Sequence, residues 1–226
     1  MLFRSPFNPQ ELEARLRVGK RVLDLEDNLV AARELMHYKA THDGLTGLWN
    51  RAAILEFLSR ELQRAGREGG SLGILIADLD HFKSINDTWG HLVGDAVLRG
   101  TARRLKAAVR AYDQVGRYGG EEFLIVLMGC DRSTTHDRAE HFRALIGGHP
   151  VESAEGSITV TLSMGGVASG DWPGADADTL LHAADVALYR AKHAGRNRVE
   201  LAVPGEIPVP VGEPGADGIA LPTQES

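Results

Sequence analysis

Three clusters of residues have the types and spacing that phosphoryl chemistry uses. The first is Asp78-Leu79-Asp80-His81-Phe82-Lys83. Asp78 closes an apolar run, Leu72–Ala77, whose pattern predicts a buried strand, and Asp80 follows two residues on. In open α/β sheets ligands gather beyond the carboxyl ends of strands. Side chains alternate across a strand, so the two acids would share a face if the strand continued. Asp80 is instead expected to cap a helix that begins at His81. The backbone N–H groups of His81, Phe82 and Lys83 would then aim at an anion, with the Lys83 charge added. Taken alone, the fragment more often means a capped helix with a solvated Asp78.

The second cluster is Arg117-Tyr118-Gly119-Gly120-Glu121-Glu122-Phe123. Paired glycines predict a hairpin turn and allow a ligand close to the backbone. Two acids follow before the apolar run Phe123–Met128. A plain hairpin with exposed acids is the alternative. An acid from this turn beside Asp78 would make a magnesium site, because Mg²⁺ takes one or two carboxylates and completes its shell with substrate phosphates. Paired ions of this kind serve phosphoryl transfer. The third cluster is Lys192 and Arg196, at the end of a predicted helix and in Gly195-Arg196-Asn197. These bases suit a triphosphate, or simply complement the helix dipole. Neither GxxxxGK[ST] nor GxGxxG occurs, so the common nucleotide loops are absent from the sequence.

These groups need elements to position them. Residues Thr41 to about Ala202 alternate helix and strand patterns. Strands are predicted at Leu72–Ala77, Phe123–Met128, Ile158–Ala168 and Asn197–Leu201. Helices are predicted at Val93–Val109, Arg138–Ile146 and Thr179–His193. The fold class is therefore α/β, with enough mass for a real core. Ahead of it, Asn8–Thr41 reads as one long helix, with Asn8 as a possible N-cap and Pro9 in the first turn. Val18, Val22, Leu25, Leu29, Ala32 and Met36 recur at spacings 4-3-4-3-4, the a/d seam of a coiled coil. Such a stripe packs on its own domain or on a partner helix, and its narrowness favours an identical chain. Residues 203–226 hold five of the nine prolines and are expected to be a disordered acidic tail.

Composition narrows the function classes. The chain has 226 residues and a net charge of −6, of which Glu206, Glu213, Asp217 and Glu225 supply four with no base in that segment. The remaining body is close to neutral, unlike a general nucleic-acid binder. Phe123–Met128 is the longest apolar run, far below the ~18 residues of a membrane span. The single cysteine, Cys130, suits a reducing compartment, and MLFRSPFNPQ has no signal-peptide core; a cytoplasmic location is expected.

From His42 to Val199 the ordered motifs resemble the GGDEF family of diguanylate cyclases. They include Asp43-Gly44-Leu45-Thr46-Gly47-Leu48-Trp49-Asn50-Arg51, Asp78 to Lys83, and Ile85-Asn86-Asp87-Thr88-Trp89-Gly90-His91. Gly94-Asp95, the signature Gly119 to Phe123 in its GGEEF variant, Ala184 to Tyr189, and Ala191-Lys192 through Asn197 complete the set. With the seam and the composition of the two ends, this divides the chain into residues 1–40 as a signalling coiled-coil helix, 41–202 as the catalytic domain that the resemblance implies, and 203–226 as a tail. The resemblance implies a central, mainly antiparallel sheet flanked by helices, as in nucleotidyl cyclases and polymerase palms. The implied reaction condenses two GTP into cyclic di-GMP and two pyrophosphates. By the same resemblance, Asp78, the Leu79 carbonyl and Glu121 hold Mg²⁺, two ions per site, with Mn²⁺ as a substitute. Glu121 also takes the proton of the attacking hydroxyl. Asn86 and Asp95 read guanine, His91 contacts substrate, and Lys83, Lys192 and Arg196 bind phosphates.

Arg110-Ala111-Tyr112-Asp113 has the RxxD pattern of the family's product-inhibition site, where Arg110 and Asp113 would bind cyclic di-GMP. The family's supporting arginine aligns with His141, so weaker inhibition is expected. Out of context RxxD is an ordinary surface ion pair. Phe3-Arg4-Ser5-Pro6-Phe7 resembles the end of a receiver domain, with Ser5 where such domains carry Lys. The rival readings are an inactive receptor for GTP or cyclic di-GMP, a cyclase for another base, and a dimerisation module. The intact acids and the Asn86–Asp95 pair stand against all three.

Overall fold

The computed structural model describes residues 9–153 and 155–205. Helix α1 (Pro9–Thr41) begins where Pro9 was expected to sit; Asn8 and the receiver-like residues lie outside the described residues, as does the tail from 206 onward. Beyond α1 come α2 (Arg51–Glu68), β1 (Leu72–Leu79), α3 (Phe82–Trp89), α4 (His91–Ala108), β2 (Gln114–Arg117) and β3 (Glu122–Met128). Then follow α5 (Arg132–Gly147), β4 (Val151–Ser153), β5 (Gly156–Ile158), β6 (Leu162–Ala168), α6 (Ala177–His193) and β7 (Val199–Leu201). The predicted strand Ile158–Ala168 is interrupted: Ile158 ends the small β4–β5 hairpin and β6 starts at Leu162. Neither α2, β2 nor the β4–β5 hairpin was among the sequence expectations.

The main sheet has strand order β2-β3-β1-β6-β7. Every pairing in it is antiparallel except β6 with β7. The mainly antiparallel sheet expected from the resemblance is therefore present. Strand β1 is buried along its whole length, as its unbroken apolar run requires. Alternation then sorts two cores. Leu75, Ala77 and Leu79, with Phe123, Ile125 and Leu127 of β3, join Phe82, Val97 and Phe142 from α3, α4 and α5. Ile74 and Ile76, with Leu124 and Val126, join Ile54, Leu58, Leu180 and Leu188 from α2 and α6. Each Leu, Ile, Val or Phe among them contributes roughly 1.5–3 kcal/mol by leaving water. Helix α6 can lie this close because β6 carries Gly165, where a Cβ would stand 2.1 Å from the Ala184 carbonyl. Asn50, Asp131 and Asp176 cap α2, α5 and α6 by accepting from Ala53, Thr134 and Thr179 N–H.

The seam of α1 is bare. Val18 is 64% exposed, Leu25 60% and Leu29 71%, so the stripe does not pack on its own domain. The junction with the body is firm. Asn50 donates its amide to the Ala40 carbonyl at 2.7 Å and its backbone N–H to Thr41. Trp49 forms a parallel bridge to Gly116 and so covers part of the outer edge of β2. Among the described residues no helix is long and apolar enough to cross a membrane.

Candidate active site

The period-2 alternation that builds the core also places the acids. Asp78 sits in phase with Ile74 and Ile76, toward α6, and pairs in register with Glu122 across β1–β3. The Leu79 N–H reaches back to the Glu121 carbonyl, so the two acidic segments are held side by side. Lys192, in the last turn of α6, places its ammonium 2.8 Å from the Asp78 carboxylate. First and third clusters thus meet directly through this ion pair. Arg196, in the following loop, is exposed with left-handed backbone (φ 60°).

The acids here are short of positive charge. Burial pushes the Asp78 carboxyl above the ordinary aspartate range; Lys192 and, more weakly, Arg196 pull it down, and the Asp80 charge pushes it up, so that burial prevails. Burial and then the Asp78 charge raise Glu121, against Lys192. Glu122 is raised by the same burial and by Asp78, with Asp185 and Glu121 adding smaller repulsions. Glu122 and Asp185 thus belong to this electrostatic group. Among the described residues, no three His, Cys, Asp or Glu side chains converge closely enough to hold a metal unaided.

Asp80 corrects a sequence expectation. It does not cap α3; the residue at that position is His81, in left-handed backbone (φ 58°) and without a capping side chain. Asp80 is buried and accepts from Thr161 and Ser163 hydroxyls, both at 2.6 Å, and from the Asn197 N–H at 3.0 Å. It therefore ties the Arg196–Asn197 loop to the end of β1. The start of α3 remains near the acids, but Phe82 is a core residue, leaving only its backbone for a ligand. His81 and Lys83 are exposed.

Helices α3 and α4 form a tight hairpin about Gly90. Asn86 on α3 crosses to α4, and a Cβ at Gly94 would stand 1.9 Å from its Oδ1. Gly94 thus leaves the room that the Asn86 amide occupies next to the half-buried Asp95. His91 is exposed on the first turn of α4.

On the signature turn, Arg117 donates to the Gly120 carbonyl at 2.7 Å and pairs with Asp43 at 3.2 Å. Burial works against the Asp43 carboxylate, yet hydrogen bonds from Thr46 and the Arg117 charge hold it below its usual range. The Asp43–Thr46 turn after α1 is thereby linked to the Gly-Gly turn, a contact across 74 residues that no local pattern announces.

The RxxD turn divides its two named residues. Asp113 is 2% exposed and accepts from the Met128 and Arg110 backbone N–H groups and from Arg138 at 3.0 Å. Arg110 faces solvent, beside the Tyr112 ring and hydroxyl. Asp113 therefore shapes the turn and Arg110 is what it offers. His141 is exposed on α5, and Arg138 is committed to Asp113.

Residues 40–198 match the family description diguanylate cyclase, GGDEF domain. The chain belongs to the GGDEF family. It is 40% identical over 198 residues to the diguanylate cyclase DgcP of Pseudomonas aeruginosa, covering 85% of this chain and 29% of that one. The chain thus spans under a third of that relative's length. The coiled coil and GGDEF domain of DgcB from Caulobacter crescentus, solved in complex with c-di-GMP, superposes with a TM-score of 0.75. That pair shares 32% identity over 84% of this chain and 99% of the other. The active GGEEF domain of a diguanylate cyclase from Vibrio cholerae gives a TM-score of 0.63 at 32% identity, covering 69% of this chain and 98% of that one.

Proposed function

We propose that this chain is a diguanylate cyclase that joins two GTP into cyclic di-GMP. Each 3′-hydroxyl attacks the α-phosphate of the other GTP; two O–P bonds form and two pyrophosphates leave. The observation that carries this reading is the under-compensated acid group at the end of β1 and β3, with Lys192 against it. Asp78, Glu121 and the Leu79 carbonyl are hard oxygen donors, too few to enclose an ion alone, which fits a cation completed by substrate oxygens. They would hold Mg²⁺, two ions per site, or Mn²⁺ in its place. Such an ion supplies charge neutralisation for the triphosphate.

The chain's own residues do the rest. Glu121, its carboxylate made more basic by burial and the Asp78 charge, takes the proton of the attacking hydroxyl. Lys192 exchanges its Asp78 partner for phosphate oxygens, and Lys83 and Arg196 add charge from α3 and the Asp80-anchored loop. Backbone N–H groups of His81, Phe82 and Lys83 favour an anion at the α3 start. Asp95 accepts from the guanine N1 and N2 hydrogens, Asn86 donates to its acceptors, and His91 contacts the substrate edge. Product returns to Arg110 and the turn shaped by Asp113 as a feedback inhibitor. One chain supplies one half of the ring closure, so two chains must face each other. The bare seam Val18–Met36 supports a parallel homodimer that raises the local concentration of catalytic domains to ~mM.

Incubation with GTP and Mg²⁺, followed by chromatography of the product, tests the reading. Cyclic di-GMP is expected. GTP binding without product would instead mark the chain as a nucleotide receptor.

A further inference from the structure

The loop that brings Arg196 to the acids has an unusual backbone. Gly195, Arg196 and Asn197 stand in succession at positive φ, 109°, 60° and 45°. Glycine adopts this freely and Asn tolerates it, whereas a long side chain such as Arg rarely does. Such geometry persists only where the surroundings hold it, and it gathers at binding sites. Backbone contacts do part of the holding. The Arg196 N–H donates to the Ala191 carbonyl at 3.0 Å, the Asn197 N–H to Asp80 at 3.0 Å, and the Met164 N–H to the Arg198 carbonyl at 2.9 Å. The Arg196 charge reaches Asp78, whose carboxyl it draws down slightly.

Helix α5 holds the same loop by a side chain. Arg143 donates Nη1 to the Asn197 Oδ1 at 2.8 Å, a contact across 54 residues. Its Nε and Nη2 both meet the Glu140 carboxylate, at 2.9 and 2.8 Å. The guanidinium is planar, so an acid on that edge fixes the direction in which Nη1 points. The Arg143 side chain is 26% exposed, partly withdrawn from water along the helix. The end of α5 runs beside the loop as well: a Cβ on Gly147 would stand 4.0 Å from the Asn197 Oδ1. The other arginines of this helix serve elsewhere, Arg132 at the Ala202 carbonyl and Arg138 at Asp113.

We propose that Arg143, aligned by Glu140, is a positioning residue for Arg196: it grips the Asn197 side chain while Asp80 grips the Asn197 backbone, and together they aim Arg196 at the triphosphate. Asn197 is thus held from the end of β1 and from α5 at once, which keeps the left-handed pair in place. The holding of the loop stands on these contacts alone; its effect on GTP rests on the function proposed above.

Hydrogen exchange of the full chain, read by mass spectrometry without ligand, tests the holding. Arg143→Met keeps the alkyl stem and removes the hydrogen bonds, so residues 195–199 should exchange severalfold faster while β1 and β3 keep their protection. Unchanged exchange in 195–199 overturns the proposal. GTP turnover tests the consequence. In Arg143→Met the KM for GTP should rise ~3–5-fold, the scale of one hydrogen bond, with kcat within ~2-fold. Arg143→Lys should recover part of that loss. The rise should vanish in an Arg196→Met background, because Arg143 acts through Arg196. It should also vanish beside Asn197→Gly, which accepts positive φ but offers no amide. A full rise in either background assigns Arg143 a direct charge effect and overturns the positioning role. A lowered thermal midpoint with unaltered KM makes Arg143 purely structural and overturns it too. If the unaltered chain neither binds nor turns over GTP, the proposed function fails and the effect on GTP with it, while the exchange result still decides the holding of the loop.

Discussion

Asp78 and Asp113 are hidden to nearly the same degree, 6% and 2% exposed, yet they live in opposite circumstances. Asp113 accepts two backbone N–H groups and the Arg138 guanidinium. Asp78 has Lys192 and a set of like charges around it. Asp80, two residues away, resembles Asp113: hydroxyls of Thr161 and Ser163 and the Asn197 N–H hold it. Burial alone therefore does not mark a reacting acid. An acid whose hydrogen-bond demand is met holds the fold together, and one left short is poised for a cation or a proton.

The largest effect should come from the under-satisfied side. Glu121→Gln is expected to lower cyclic di-GMP formation by ~10³-fold while the chain stays folded, the scale of a lost electrostatic contribution at a reacting centre. Turnover measured by chromatography near the unaltered rate would falsify the role given to this carboxylate. On the satisfied side, Asp113→Ala should cost about 3–5 kcal/mol in denaturant unfolding, because the half-buried Arg138 loses its acid partner and the Arg110 and Met128 N–H groups lose their acceptor. A loss below ~1 kcal/mol would erase the contrast between the two acids. A smaller, mixed effect is expected of Asp80→Asn. The Arg196 loop loses its anchor, so KM for GTP should rise ~10-fold with a modest fall in stability; an unchanged KM would confine Asp80 to the scaffold.

The smallest effect is in pH dependence. The folded-state carboxyl of Glu121 lies above its unfolded value, so its share of stability is present below the unfolded value and is lost as pH rises through the folded one. Glu121→Gln should therefore be at least as stable as the unaltered chain at pH 7. That advantage should shrink as pH falls through the raised folded-state value and be gone once pH is below the ordinary glutamate range. A constant difference across that window in thermal melts would contradict the direction of the shift.

Much of this was legible in the sequence, for reasons that differ by element. β1 and β3 announce themselves as apolar runs because they are buried on both faces. α6 shows a helical stripe because only one side meets the sheet. β2 has four residues with Val115 as its one large apolar side chain, too short for a pattern. α2 was missed although its signals exist: an Asn50 cap, apolar residues at helical spacing and Gly69 at its end. Asp80 misled because an acid between strand and helix has the local signature of a cap. Its partners are 81, 83 and 117 residues distant, and such bonds exist only once the chain has folded. The pairing of Asp113 with Arg138 was hidden for the same reason.

The margins of the main sheet carry a last consequence. It ends on one side in a four-residue strand partly overlaid by Trp49, and on the other in the three residues of β7. Free strand edges are templates on which a second chain can lengthen a sheet. A protein tethered to its own copy is exposed to that accident at every collision. With margins this short, neighbouring bodies find almost no backbone to zip onto, so in the proposed homodimer, with two bodies on one stalk, reversible meeting is favoured over fusion into a continuous sheet.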